Sequence, residues 1–163
     1  MIPNPVILFG CAFIPMVVSL IWYHPKVFGK TYQNDGGITD GKSDKWYHYV
    51  LSYACFFFLA FGIYELTVHQ AHVYGLTGAN PDVMTTGTTA AFMAEFGQNY
   101  LTPVHGVVHA IIGILAFVIP FTAVQAIRDK KSIKYFLVNA GYWAVTFFLM
   151  GIIIAQWGGV PVS

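Results

Sequence analysis

Apolar residues dominate four stretches of the chain, and polar residues collect between them. The stretches run from Val6 to Tyr23, Trp46 to Val68, Pro103 to Ile127 and Ile133 to Trp157. A helix crossing ~30 Å of hydrocarbon needs about 20 apolar residues, so each stretch predicts one span. Pro15 and Pro120 fall inside the first and third and predict kinks, which neighbouring helices accommodate in a bilayer. His24-Pro25 ends the first helix, and Asp44 stands as N-cap to the second. Thr102 and Pro103 open the third as cap and first helical residue. The second helix is expected to persist to Tyr74, with Gly75 as its stop. Residues 46–74 would then measure ~43 Å at 1.5 Å per residue and stand proud of the bilayer.

The connections carry their own signals. Residues 24–45 form a polar segment in which Asn34-Asp35-Gly36-Gly37 and Thr39-Asp40-Gly41 are turn formers. Residues 75–102 are a Gly- and Thr-rich excursion. Within it, residues 88–100 are expected to form a short interfacial helix with Phe92, Met93 and Phe96 on one side. The fold class predicted is all-α, an integral membrane four-helix bundle, with residues 1–163 as a single domain.

Composition supports that reading. Of 163 residues, 56% are hydrophobic and 9% charged, against about 25% charged in soluble domains. A net charge of +1 provides no basic surface for phosphates and argues against nucleic acid as a partner. The opening Met1 to Pro5 lacks a basic residue, and no small-residue cleavage site follows. The first stretch is therefore expected to be a retained helix. Cys11 and Cys55 lie in apolar stretches at different depths and read as small buried residues, not a disulfide.

The charge distribution orients the chain. Lys26, Lys30, Lys42 and Lys45 lie on the first connection, and Arg128, Lys130, Lys131 and Lys134 on or beside the third. These are all eight Lys and Arg residues. The positive-inside rule predicts that loops 24–45 and 128–134 are cytoplasmic. Both termini and the 75–102 loop then face outward; the membrane expected is the bacterial inner membrane, with loop 75–102 periplasmic.

Two motifs carry a family resemblance. Trp22-Tyr23-His24-Pro25-Lys26-Val27-Phe28-Gly29-Lys30 closes the first span. Asn139-Ala140-Gly141-Tyr142-Trp143 lies in the fourth, with Met150-Gly151 and Trp157 beyond. The chain resembles a bacterial family of small four-helix membrane proteins of unknown function, which share a Trp-Tyr-x-Pro-x-x-Phe-Gly-Lys turn and an Asn-Ala-Gly-Tyr-Trp helix. The resemblance covers spans one, three and four. It implies a fold and a membrane address, and no activity. The departure from the family is the longer, histidine-bearing outer region, where a special function is to be sought.

Candidate chemistry gathers there. Glu65, His69 and His72 fall within about a 60° arc of one helix, and His105 and His109 share a face at i and i+4. If spans two and three are neighbours, four imidazoles and a carboxylate converge near the outer boundary. That donor set suits Zn, Cu or Fe, with haem ligation as a further option. Glu95 in the loop is a possible additional ligand or imidazole partner. The plainer alternative is a group of polar contacts at an interface, with Glu65 hydrogen-bonding His69 one turn away. Asn139 is expected to act as interhelical glue, and Gly141 and Gly151 to admit close helix approach.

No Cys-x-x-Cys, His-Glu-x-x-His, phosphate-cradling loop or Ser-His-Asp pattern appears. The leading expectation is therefore a non-catalytic accessory or assembly subunit of a larger membrane complex. Its partners would be the lipid bilayer and other membrane subunits, or further copies of itself. The alternatives are a metal- or haem-binding membrane protein using the outer His/Glu group, and an oligomeric small-solute transporter or channel.

Overall fold

The computed structural model describes residues 1–37 and 45–161. The turn expected at Thr39-Asp40-Gly41, Lys42, and the cap assigned to Asp44 lie outside the described residues. A short strand β1 (Ile2–Pro3) precedes α1 (Pro5–Cys11), α2 (Ile14–Trp22), α3 (Gly29–Gly36) and α4 (Trp46–Thr67). Then come α5 (His69–Leu76), α6 (Pro81–Thr85), α7 (Gly87–Phe96) and α8 (Pro103–Gly113). A π-helical turn over Ile114–Val118 leads into α9 (Ile119–Arg128), and α10 (Ile133–Trp157) and β2 (Gly159–Val160) follow. Four helical stretches, Pro5–Trp22, Trp46–Thr67, Pro103–Arg128 and Ile133–Trp157, are long and apolar enough to cross a membrane. The architecture is an all-α membrane bundle.

The most heavily buried element is α10. Val138, Tyr142, Thr146, Phe147, Met150, Gly151, Ile154 and Ala155 are all buried along it. Its C-terminal half meets α8 through small residues on both sides. Gly106 and Ala110 of α8 face Gly151 and Ala155 of α10, so that Gly151 would bring a Cβ within 2.8 Å of the Gly106 carbonyl oxygen. In a bilayer helices gain little from the hydrophobic effect and associate by close van der Waals contact, which small residues four apart permit. Gly113 continues the seam, seated against the Phe147 ring.

Both internal prolines disturb their helices in ways the neighbours repair. Pro15 cannot donate an amide bond and crowds the preceding turn, and the first span breaks at Ala12–Phe13. The Phe13 amide bonds Gly10 at 3.2 Å, and the Phe9 carbonyl accepts from the Tyr53 hydroxyl at 2.9 Å. The Pro15 carbonyl accepts from the buried Tyr142 hydroxyl at 3.0 Å. In the third span the π-helical turn precedes Pro120, and Thr122 Oγ1 donates to the Val118 carbonyl at 2.6 Å.

The two sequence motifs meet in space. The Trp22 indole N–H donates to the Val138 carbonyl at 3.0 Å, while its ring lies so close to Gly141 that a Cβ there would come within 2.9 Å. Tyr23 reaches Asn139 Oδ1 at 3.4 Å, the interhelical contact expected of that amide, and its ring lies 5.2 Å from Tyr142. Gly29 closes the turn because a side chain there would run into the Tyr23 carbonyl, whose carbon lies 2.9 Å from the Cβ position.

Turn formers predicted at Asn34-Asp35-Gly36 instead end a helix, and Gly37 stops it in the left-handed region at φ 61°. Tertiary contact explains the difference. Tyr32 stacks on Tyr135 at 5.1 Å, Ser132 Oγ donates to Asp35 at 2.9 Å, and Lys131 Nζ donates to the Gly36 carbonyl. The two Lys- and Arg-bearing connections therefore join at one end of the bundle. At the opposite end β1 pairs antiparallel with β2, Ile2 facing Val160. Both cysteines are free, Cys11 buried and Cys55 exposed.

Candidate metal centre

The second span does not continue unbroken to Tyr74. Val68 leaves the helical region at φ −95° and ψ 83°, and a separate helix begins at His69. No Gly or Pro marks this break. Val68 is fully buried, with Gly159 of β2 against it. The next buried residue, Gln70, accepts from the Met1 amine at 3.4 Å and donates to the Asn99 carbonyl at 2.8 Å. The strand pair and the segment before α8 thus hold the break.

The consequence is a cluster of three imidazoles. His69 from α5 meets His105 and His109 from α8, with ring centroids 5.0 and 4.8 Å away, and His105 and His109 lie 4.4 Å apart. One nitrogen from each ring can be chosen so that all three lie within 4.8 Å of one another. A tetrahedral zinc ion with nitrogens at ~2.05 Å sets them about 3.3 Å apart, a closure within reach of side-chain rotation. His105 Nε2 and His109 Nδ1 are buried and without a hydrogen-bond partner among the described residues. Buried polar atoms are nearly always satisfied, so two such nitrogens in one cluster call for an explanation.

Local structure positions the rings and favours the neutral form of His69. His105 sits in the first turn of α8, where the Thr102 hydroxyl accepts its backbone amide at 3.3 Å. Burial lowers the pKa of His69 below its ordinary value, and the neighbouring His105 and His72 lower it further. Metal binding requires deprotonated imidazole, so each effect assists it.

The other residues singled out in the sequence are placed differently. Glu65 and His72 pair with each other, Oε2 to Nε2 at 3.8 Å, beside the cluster. The His72 ring stays 6.1 Å from His69. Glu95 is exposed on α7 and is not a member of the cluster. Tyr100, which sequence reasoning passed over, lies 5.2 Å from the His105 ring and holds a left-handed backbone at φ 65°. A bulky residue in that conformation is strained and needs support from its surroundings. Its nearness to Thr102-Pro103 was the one available signal.

Fold and site define a class: an α-helical multi-pass membrane protein with a three-histidine cluster at one end of its bundle. The chain belongs to the family described as "Protein of unknown function (DUF1761)", whose model matches residues 6–155. No curated protein and no solved structure matches the chain.

Proposed function

We propose that the protein is a metal-binding membrane protein that holds one divalent ion through His69, His105 and His109, with Glu65 and His72 beside the site. The observation that carries this reading is the pair of buried nitrogens on His105 and His109 that have no hydrogen-bond partner among the described residues, in rings that cluster with His69. Three imidazoles with an open fourth position suit Zn²⁺, and the same donors accept Cu or Fe. A bis-imidazole haem would hold its ring centroids roughly 6 Å apart across the macrocycle. The three pairs here are at 4.4–5.0 Å, which favours a single ion.

The segregation of Lys and Arg supports a bacterial inner-membrane orientation with the basic end cytoplasmic and the histidines periplasmic. Residues 1–163 would act as one domain. An accessory or assembly role in a larger complex is compatible with such a site, and the ion would be what the subunit contributes. The imidazole cluster is a more specific observation than small size or missing catalytic motifs.

Metal analysis of the purified protein tests the reading, with the His105→Ala/His109→Ala variant beside it. Near-stoichiometric metal in the wild type and its loss in the variant are expected. Equal, substoichiometric metal in both would end the proposal. Phosphatase fusions should be active within residues 75–102 and inactive at residue 130 if the orientation is right.

A further inference from the structure

Below the histidine end, α4 and the third span part company. They touch where Leu66 approaches Gly113, but beyond the π-helical turn α9 diverges from α4 and leaves a wedge backed by α10. The wedge has a volume of about 790 Å³, within the range of small-molecule sites. Phe58 of α4, Phe117 and Phe121 of the third span, and Trp143 of α10 line it. Gly62 forms part of one wall, and nothing lies within 4 Å of where its Cβ would be. Among the described residues Glu65 is the one carboxylate in the lining, and no Lys, Arg or His lines the cavity.

A carboxylate beside an apolar cavity within a span is costly, and such residues mark sites for charged or polar ligands. Here it is joined by several aromatic faces, whose electron-rich rings attract cations, above all large, weakly hydrated ones. Fully hydrated inorganic ions gain little from such aromatic walls. An anion would meet Glu65 with no cation in the described lining to balance it. His72 approaches Glu65 from α5 at 3.8 Å without entering the lining.

We propose that this wedge is a binding site for a lipophilic organic cation, with Glu65 as counter-charge and Phe58, Phe117, Phe121 and Trp143 as the aromatic walls. The site is separate from the three-histidine cluster and does not depend on it.

Tetraphenylphosphonium is the probe, with tetraphenylborate as the anion of matching size and shape, measured by equilibrium dialysis against the purified full chain in non-ionic detergent. One saturable site per chain is expected for the cation and none for the anion. Glu65→Gln should weaken cation binding at least tenfold, and Glu65→Asp should restore part of it. Gly62→Leu narrows the wedge while keeping the carboxylate, and should weaken binding; unchanged melting and elution behaviour shows that each variant is folded. The His69→Ala/His105→Ala/His109→Ala variant should bind the cation as the wild type does even if it loses metal. Equal binding of cation and anion, equal cation binding by wild type and Glu65→Gln, or no saturable binding would overturn the proposal. The wedge would then be an apolar space for a lipid chain or a second copy.

Discussion

Replacing Gly106 by Ala should loosen the seam on which the histidine end depends. A Cβ at position 106 would overlap the Gly151 carbonyl, lying 2.7 Å from its carbon and 3.0 Å from Ala155 Cβ. Carbon atoms pack at ~3.5–4.0 Å, so α8 and α10 must separate by roughly 1 Å. No rotamer change relieves the contact, because backbone and a Cβ form the opposing surface. Overpacking of this kind costs about 1–3 kcal/mol, with a rigid contact at the upper end. The gain in helix propensity from Gly to Ala returns up to ~1 kcal/mol. A net loss of about 2 kcal/mol corresponds to roughly 4–8 °C in melting temperature for a chain of this length. Gly62→Ala is the matched control. Nothing lies within 4 Å of its added methyl, so propensity alone should act, and about 0.5–1 kcal/mol of stabilisation is expected. Size-exclusion analysis of heated, detergent-solubilised samples measures both. Because Gly106 lies between His105 and His109, the same variant should also hold metal less tightly. If Gly106→Ala melts at or above the wild-type temperature, the close-contact argument for this seam is wrong.

Other variants probe separate joints. Trp22→Phe removes the indole donor to the Val138 carbonyl and should cost about 1 kcal/mol in thermal unfolding. Thr102→Ala removes the N-cap of α8. About 1 kcal/mol should be lost, with weaker metal binding by titration because His105 lies in the capped turn. At alkaline pH, Tyr32 is informative: burial, then its contact with Tyr135, raise its phenol above the ordinary value. The unfolded chain gives up that proton near pH 10 while the folded chain keeps it, so stability is full below about pH 10 and falls as pH rises above it. Melting temperatures between about pH 9 and 11 should fall less steeply for Tyr32→Phe.

Legibility differed between fold and site. Four apolar stretches of membrane length follow from composition and period alone, since a bilayer demands internally bonded helices wherever such stretches occur. The motif ends were readable as well, because Pro25, Thr102 and Pro103 act on backbone geometry within a residue or two. The histidines were recognisable as a group from helical spacing. Which of them meet was not recognisable, because the break at Val68 carries no Gly or Pro. It arises from burial against β2 and from Gln70 bridging to residues 29 and 69 positions away.

The same division holds at the other features. Asn34-Asp35-Gly36 has turn chemistry, yet packing of Tyr32 on Tyr135 and Asp35 on Ser132 makes it the end of a helix. Glycine spacing in α8 and α10 permits close approach, but only their contact shows that Gly106 and Gly151 face each other. The wedge beside Glu65 has no local signature, since it is the space left when two helices diverge. By itself the sequence determined the spans and the one-sided distribution of charge, which depend on hydrophobicity and local backbone preference. Tertiary structure decided the partners: His69 with His105 and His109, Glu65 with His72, and Trp22 with Gly141. Those pairings depend on interhelical distances of a few ångströms, which no periodicity along a single helix encodes.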